Sequence, residues 1–412
     1  MRSLRASTGI LLVLVACVMA GNGLVVPVLP LYGSEVSSSA TLVGMLITVF
    51  GVARLAANFP AGALFRRVGS RRLLVVGSVL LMVGAIGAAL CGRDLVALLG
   101  WRAVQGIGSG VFLTTVGVLV ALRTEPGRRG RLLARYQTAV FIGAGVGPTI
   151  GGALAQWWGV GAPFWAYALA AAAALAAALL YEHPTSEAVH DPGAAGEPAR
   201  LRTTMRQPQY LSNLVMTFSN GFVRTAALWQ IIPLIAADRF GMDFDLVGIA
   251  VTVTSLANLA VLPLSGRLID RLGWRVPPYI AAFVMAASLA LVALSGSVPG
   301  FWIGIALVGA AGGFIGPALA TSMVEITPTA VLGSATGLQR TVGDVGFVAG
   351  PVVVGMLADL GGLDPAATML LVATLVAASG ALWLAVVHLR PRAMVPVGDG
   401  AGGDVMSTGA TR

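Results

Sequence analysis

Lysine is absent from the 412 residues, and acidic residues number only 17. Charged residues make up 10% of the chain, against roughly 25% in an ordinary soluble domain, while 57% are apolar. A soluble fold of that composition would leave far more apolar surface in water than it could bury, so the bilayer is the expected solvent. Without lysine there is no phosphate-binding loop of the Gly-x-x-x-x-Gly-Lys type, and the apolar segments leave no room for a soluble nucleotide-binding domain. Two cysteines, Cys17 and Cys91, and three histidines, His183, His190 and His388, argue against a disulfide framework or a metal site. No His, Cys or paired-carboxylate cluster falls at membrane depth, so no membrane enzyme and no cofactor are expected. The alternation of apolar and polar residues in segments of about ten that marks a membrane barrel is missing too. The apolar runs are continuous, and the length accommodates about twelve helices of about 20 residues each.

What is present is arginine, 26 of them, for a net charge of +9. A balance this basic suits nucleic acid as well as a membrane, and position separates the two. Arg54, Arg102, Arg224 and Arg340 lie inside apolar segments, Arg93 and Arg239 in loops that follow odd-numbered segments. The other 20 occupy the N-terminus, the loops after even-numbered segments and the C-terminal tail. Short arginine-rich loops stay in the cytoplasm during insertion. Both termini are therefore expected inside, and nucleic acid is not an expected partner. Arg2 and Arg5 ahead of an apolar run resemble a secretory signal, but the run from Thr8 to Leu31 is too long and lacks a convincing cleavage site. It reads as the first span. Arginine without lysine, with abundant Ala, Gly and Val, fits a bacterium of high G+C content and hence an inner-membrane protein.

Spans are expected at about 8–31, 41–64, 73–91, 95–123, 133–157, 162–182, 209–237, 244–268, 277–296, 300–326, 335–360 and 364–389. The polar stretch 183–208 reads as a cytoplasmic linker, leaving six spans in residues 1–182 and six in 209–389. The Gly-rich stretch 390–412 reads as a disordered cytoplasmic tail. A long internal repeat joins the two groups. Gly62-Ala-Leu-Phe-Arg-Arg67-Val-Gly69 recurs as Gly266-Arg-Leu-Ile-Asp270-Arg271-Leu-Gly273, a shift of 204, while Gly147-Pro148 recurs as Gly350-Pro351, a shift of 203. Pro30 with Pro233 and Gly110 with Gly313 repeat the shift of 203. The expected fold is thus an all-α membrane protein of twelve helices in two pseudo-symmetric six-helix bundles. Six is even, so both copies enter the membrane from the same side, and carriers built this way bind their cargo between the repeats near the midplane.

These repeats resemble the major facilitator superfamily over nearly the whole chain. The loops after spans 2 and 8 carry its signature of glycine, acid, arginine and glycine, here Gly62, Arg67, Gly69, Arg71 and Arg72, then Gly266, Asp270, Arg271 and Gly273. The resemblance implies a gating role for these loops, or topology anchoring alone. The first copy departs from the signature where an acid is expected, because position 66 is Arg. In the family that acid helps latch the halves in the outward-facing state, so a latch of that kind is in question here. Span 4 carries Arg102-Ala-Val-Gln105-Gly-Ile-Gly-Ser-Gly110, and span 5 the glycine–proline motif by which antiporters are usually distinguished, with Gly143, Gly147, Pro148, Gly151 and Gly152. Span 1 adds Asn22-Gly23-Leu-Val-Val-Pro27, similar to the opening motif of twelve-helix drug:proton antiporters. Together these imply a monomeric secondary transporter that exports a drug or metabolite against protons by alternating access.

A proton-coupled carrier needs a titrating group within reach of both sides. The first half offers no acid at mid-depth. In the second, Asp344 falls near the middle of span 11, with Glu325 near the end of span 10 as a weaker candidate. Arg340, four residues before Asp344 on the same helical face, is its expected partner, either as simple neutralisation or as a group released by protonation. An Arg inside a span costs about 2.5–3.5 kcal/mol on insertion scales, so Arg54, Arg102 and Arg224 are expected to face a wet cavity and bind substrate. For Arg102 a clamp on backbone carbonyls of span 1 is the alternative. Three unpaired arginines and one acid make the expected cavity positive, suiting an anionic or neutral cargo. Asn22, Asn58, Asn220, Gln230 and Asn258 offer neutral hydrogen bonds, and Trp229, Phe222 and Tyr136 apolar contact. Two rival functions remain: an uptake permease or uniporter for an organic anion, and a membrane sensor that transports nothing.

Overall fold

A computed structural model describes residues 2–36, 39–92, 94–122, 129–181, 202–328 and 331–389, and no strand occurs among them. The expected linker lies mostly, and the expected tail wholly, outside the described residues. The first six spans are Arg2–Val25 with Val28–Val36, Ala40–Val68, Ser70–Leu90, Leu95–Leu122, Arg129–Trp158 and Ala162–Leu179. Span 7 runs as Pro208–Thr225, Ala226–Ile231 and Ile232–Phe240, and spans 8 to 12 as Phe244–Leu272, Pro277–Leu294, Val298–Ile326, Leu332–Gly361 and Pro365–Leu389. Two expectations of single helices are corrected. Span 1 breaks at Val26 and Pro27, because proline has no N–H to give the ladder. Span 7 is interrupted by a π turn over Ala226–Ile231.

Among the described residues ten helices are long and apolar enough to cross a membrane. Span 7 falls short by composition, because it carries Ser212, Asn213, Asn220 and Arg224. Side chains start several helices. The Ser39 hydroxyl accepts from the Leu42 N–H, and the Asp94 and Asp364 carboxylates accept from the N–H groups of Ala97 and Ala367. The repeated loop signature turns on Gly69 and Gly273, whose φ of 85° and 72° no side chain adopts without strain.

The duplication is visible in how helices touch. In lipid there is no hydrophobic drive between helices, so small residues that let backbones approach must do the work. Gly106 and Gly110 of span 4 lie on the carbonyls of Phe50 and Arg54 in span 2; Gly309 and Gly313 of span 10 lie on those of Thr254 and Asn258 in span 8. A methyl at Gly110 or Gly313 would stand 2.6 Å from the facing carbonyl oxygen in either half. Each bundle has its own buried cluster, one drawing on Leu14, Leu81, Phe112 and Tyr167, the other on Ile231, Leu289, Phe301 and Trp383.

The halves meet along two seams, span 2 with span 11 and span 5 with span 8. These seams are copies of each other. The Pro351 carbonyl sits on Gly44, and the Pro148 carbonyl sits on Gly248. The motif prolines of spans 5 and 11 therefore place their carbonyls against a glycine of the opposite half. At the end of the bundle carrying Ala40, Gly355 meets Ala40 and Thr41, and Gly152 meets Phe244. There Asp359 of span 11 also takes the start of span 2. The Ser39 hydroxyl, the Ala40 N–H and the Thr41 N–H donate to its carboxylate over 2.6, 2.8 and 2.9 Å. At the opposite end, carrying Gly69, the side chains of Arg67, Arg71, Arg72, Asp270 and Arg271 are exposed.

Candidate functional site

Midway along the span 2 seam, Arg54 Nη2 meets Asp344 Oδ1 at 2.9 Å. Arg54 lies in a helix of 29 residues and Asp344 in one of 30, each near the middle. Their side chains are 21% and 22% exposed, so the pair is neither sealed nor freely solvated. The Arg54 guanidinium lies over the Phe347 ring at 4.9 Å, and Phe347 meets Trp229 edge to face at 5.1 Å. Arg224 lies 5.8 Å over Trp229, on the far side of the ring pair from Arg54. Arg224 is exposed although it stands mid-span, and among the described residues it forms no ion pair or hydrogen bond. The group thus holds one acid and two guanidinium groups, and the excess charge is positive.

Two expectations about pairing are corrected here. Arg54 is not unpaired, and Asp344 does not pair with Arg340, which is exposed. An i, i+4 contact on an exposed helix face contributes only a few tenths of a kcal/mol. The same charges partly withdrawn from water attract far more strongly, and the seam brings Arg54 to the inner face of Asp344.

Arg102 stands apart from this group. It is 1% exposed; its Nε donates to the Leu46 carbonyl at 3.0 Å, its Nη1 to Gln105 Oε1 at 2.6 Å, and its guanidinium lies 4.4 Å over Phe50. The carbonyl it takes belongs to span 2, not span 1. The remaining candidates scatter. Asn58 accepts from the Thr114 hydroxyl at 3.1 Å. Gln230 is buried and donates to the Ala40 carbonyl at 3.4 Å, while its Oε1, like the amide oxygens of Asn22 and Asn258, is buried without a partner among the described residues. Asn220 lines a small cleft inside the second bundle with Met216, Ser219 and Met285. Glu325 is exposed, and the side chain of Tyr136 lies outside what is described.

In the span 5 motif, Gly143 and Gly147 lie on the carbonyls of Ala16 and Ala20 in span 1, where a methyl would come within 2.5 and 2.7 Å. Gly151 lies on Leu24, and Gly152 faces span 8 across the seam. Arg71 donates to the Leu179 carbonyl at 2.5 Å, so that loop is tied within its own half. Phe347, Asp359 and the π turn escaped sequence reasoning. A phenylalanine in an apolar run and an acid at a helix end carry no distinguishing pattern. The π turn did leave one signal, since Pro233 removes the N–H that the Trp229 carbonyl would take in a regular helix.

A duplicated twelve-span bundle with charged groups held between its halves is the architecture of a membrane carrier. The model of the Major Facilitator Superfamily matches residues 11–224 and 214–405, and the chain belongs to that family. It is 24% identical over 353 residues to an uncharacterized MFS-type transporter of Methanocaldococcus jannaschii, covering 84% of this chain and 89% of the relative. It is 26% identical to multidrug resistance protein MdtG of Serratia proteamaculans, covering 81% and 82%, and 26% identical to multidrug resistance protein 1 of Bacillus subtilis, covering 82% and 86%. Among solved structures, a bacterial homolog of the human lysosomal transporter Spinster, inward-facing and unoccupied, superposes with a TM-score of 0.75 at 15% identity over 93% of this chain and 97% of that one. The human organic anion transporter MFSD10 gives 0.64 at 18% identity over 92% and 99%. The chain is a multi-pass membrane transporter of this family, and transporters of this kind handle small-molecule substrates.

Proposed function

We propose that the chain is a proton-coupled exporter of a small organic molecule, neutral or anionic, working by alternating access with Asp344 as the proton-carrying group. The observation behind this reading is the Arg54–Asp344 pair, which bridges the halves at mid-depth while partly open to water. Ionisable groups at membrane depth are costly and mark ion or substrate paths. A neutral cargo that donates hydrogen bonds to the Asp344 carboxylate contends with a proton for the same oxygens, and mutual exclusion of two ligands is what exchange requires. A proton on Asp344 also removes one charge from the bridge across the seam.

The arginine distribution supports an orientation with the Gly69 end and both termini in the cytoplasm of a bacterial inner membrane. On that orientation the contacts of Asp359 with the start of span 2 lie at the outward end. The names of the multidrug relatives support export. A monomer is sufficient, because both halves of the bundle come from one chain.

One observation favours a second reading, uptake of an organic anion. Arg224 adds a positive charge that forms no ion pair among the described residues. When Asp344 takes up a proton, Arg54 is also released to a cargo carboxylate or sulfonate, so proton and anion bind together and travel the same way. Proteoliposomes with an imposed pH gradient separate the two readings. Exchange makes an acidic lumen accelerate entry of a neutral lipophilic dye, whereas joint binding makes an acidic exterior accelerate entry of naphthalene-2-sulfonate. Rates indifferent to the gradient for both probes would remove proton coupling.

A further inference from the structure

The π turn in span 7 is followed at once by Pro233, and its geometry changes which side chains share a face. The Ile232 N–H reaches back to the Ala227 carbonyl, five residues away, in place of the usual four. In a regular α-helix each residue turns about 100°, so positions five apart point about 140° from each other. Across a turn that closes over five residues they come onto one side. Arg224 and Trp229 are five apart, and the guanidinium does lie over the indole. From there the arrangement continues through Trp229 and Phe347 to Arg54, alternating cation, ring, ring and cation across both halves.

The two cations are not equivalent. Arg54 is met by Asp344, whereas Arg224 has no acid and no carbonyl among the described residues and is exposed at mid-span. Arg102 shows how this chain holds a structural arginine, sealed and bonded to a backbone carbonyl and an amide. Arg224 shares none of that. A guanidinium left unmatched beside a flat ring attracts an anionic group by charge and fork-shaped hydrogen bonding, and the half-buried indole of Trp229, backed by the buried Phe347 ring, offers stacking to a planar body.

We propose that Arg224 and Trp229, aligned by the π turn, form the station for the charged end of a planar organic monoanion whose ring lies along Trp229. This rests on the reading of the charged group between the halves as a transport site, and on neither direction of transport nor proton coupling.

Calorimetric titration of the purified protein with three probes tests it: naphthalene-2-sulfonate, naphthalene-2-sulfonamide and (2-naphthylmethyl)trimethylammonium, which share a ring and differ in charge. The sulfonate is expected to bind about tenfold or more tightly than the sulfonamide, the return on a charge-assisted contact, with the ammonium weakest. Arg224→Gln brings the sulfonate to the sulfonamide's level, and Arg224→Lys, which keeps the charge, retains part of the preference. Trp229→Leu weakens sulfonate and sulfonamide alike. Equal binding of the three probes, tightest binding of the ammonium, or a sulfonate affinity untouched in Arg224→Gln overturns the proposal. Gradient-driven dye transport without charge preference in binding leaves the carrier reading standing and removes this station. Charge-selective binding with no transport of any probe does the reverse.

Discussion

The Ser39 hydroxyl stands 2.6 Å from the Asp359 carboxylate, and the two residues belong to opposite halves of the molecule. With the Ala40 and Thr41 N–H groups, this makes Asp359 the acceptor for the exposed first turn of span 2, where a helix presents unsatisfied donors and the positive end of its dipole. The contact is a latch at the Ala40 end that has no acidic counterpart in the other seam, where position 156 is Gln and span 8 starts after Asp243. Asp359→Ala removes three acceptor contacts and is expected to shift the halves toward forms open at that end by about tenfold. Spin labels at Leu42→Cys and Leu360→Cys, exposed positions on either side of the seam, report it as a growing long-distance population. An unchanged distance distribution contradicts the latch.

Gly44 and Gly248 are expected to act as a matched pair. A methyl at either runs into a proline carbonyl of the facing half, and backbone cannot swing aside. Gly44→Ala and Gly248→Ala should each open the Ala40 end, at the roughly 1–3 kcal/mol typical of overpacking. Gly266→Ala, where nothing lies within 4 Å of the added methyl, should change nothing. The same spin-label pair reads all three, and a response of Gly266→Ala equal to the others would contradict the seam as the site of contact.

Arg102 separates a structural from a transport role. Arg102→Met takes the donors from the Leu46 carbonyl and Gln105 while leaving both buried, a loss of about 1–3 kcal/mol per orphaned group. The expected outcome is a lowered thermal midpoint with naphthalene-2-sulfonate affinity unchanged in the protein that folds. An unchanged midpoint with binding lost would return Arg102 to the substrate site.

Much of this architecture was legible in the residues because the duplication is written in glycines. Gly106, Gly110, Gly309 and Gly313 hold their carbonyl partners at the same register in both halves, so a shift of 203 or 204 in sequence carries over directly into packing. The broken spans were less visible, since an apolar run reads the same whether or not its backbone ladder is continuous. In the site, Arg54, Arg224 and Asp344 stood out because charge in an apolar run is expensive. Their pairing did not. The one local rule available pointed from Asp344 to Arg340, while its actual partner is 290 residues away and is delivered by the seam. Phe347 and Asp359 matter only through what the opposite half brings to them, and no spacing within one helix carries that information.

The most direct test of the account is proton movement in proteoliposomes containing the whole chain, beside Asp344→Asn and Arg54→Gln. With a pH gradient imposed and a neutral dye or naphthalene-2-sulfonate as cargo, the unaltered protein is expected to show cargo flux that follows the gradient. Asp344→Asn should carry the same cargo down its own gradient at a rate indifferent to pH, and Arg54→Gln should retain only a weakened response. Gradient-driven flux that persists undiminished in Asp344→Asn would contradict the claim that the charge pair between the halves couples protons to cargo.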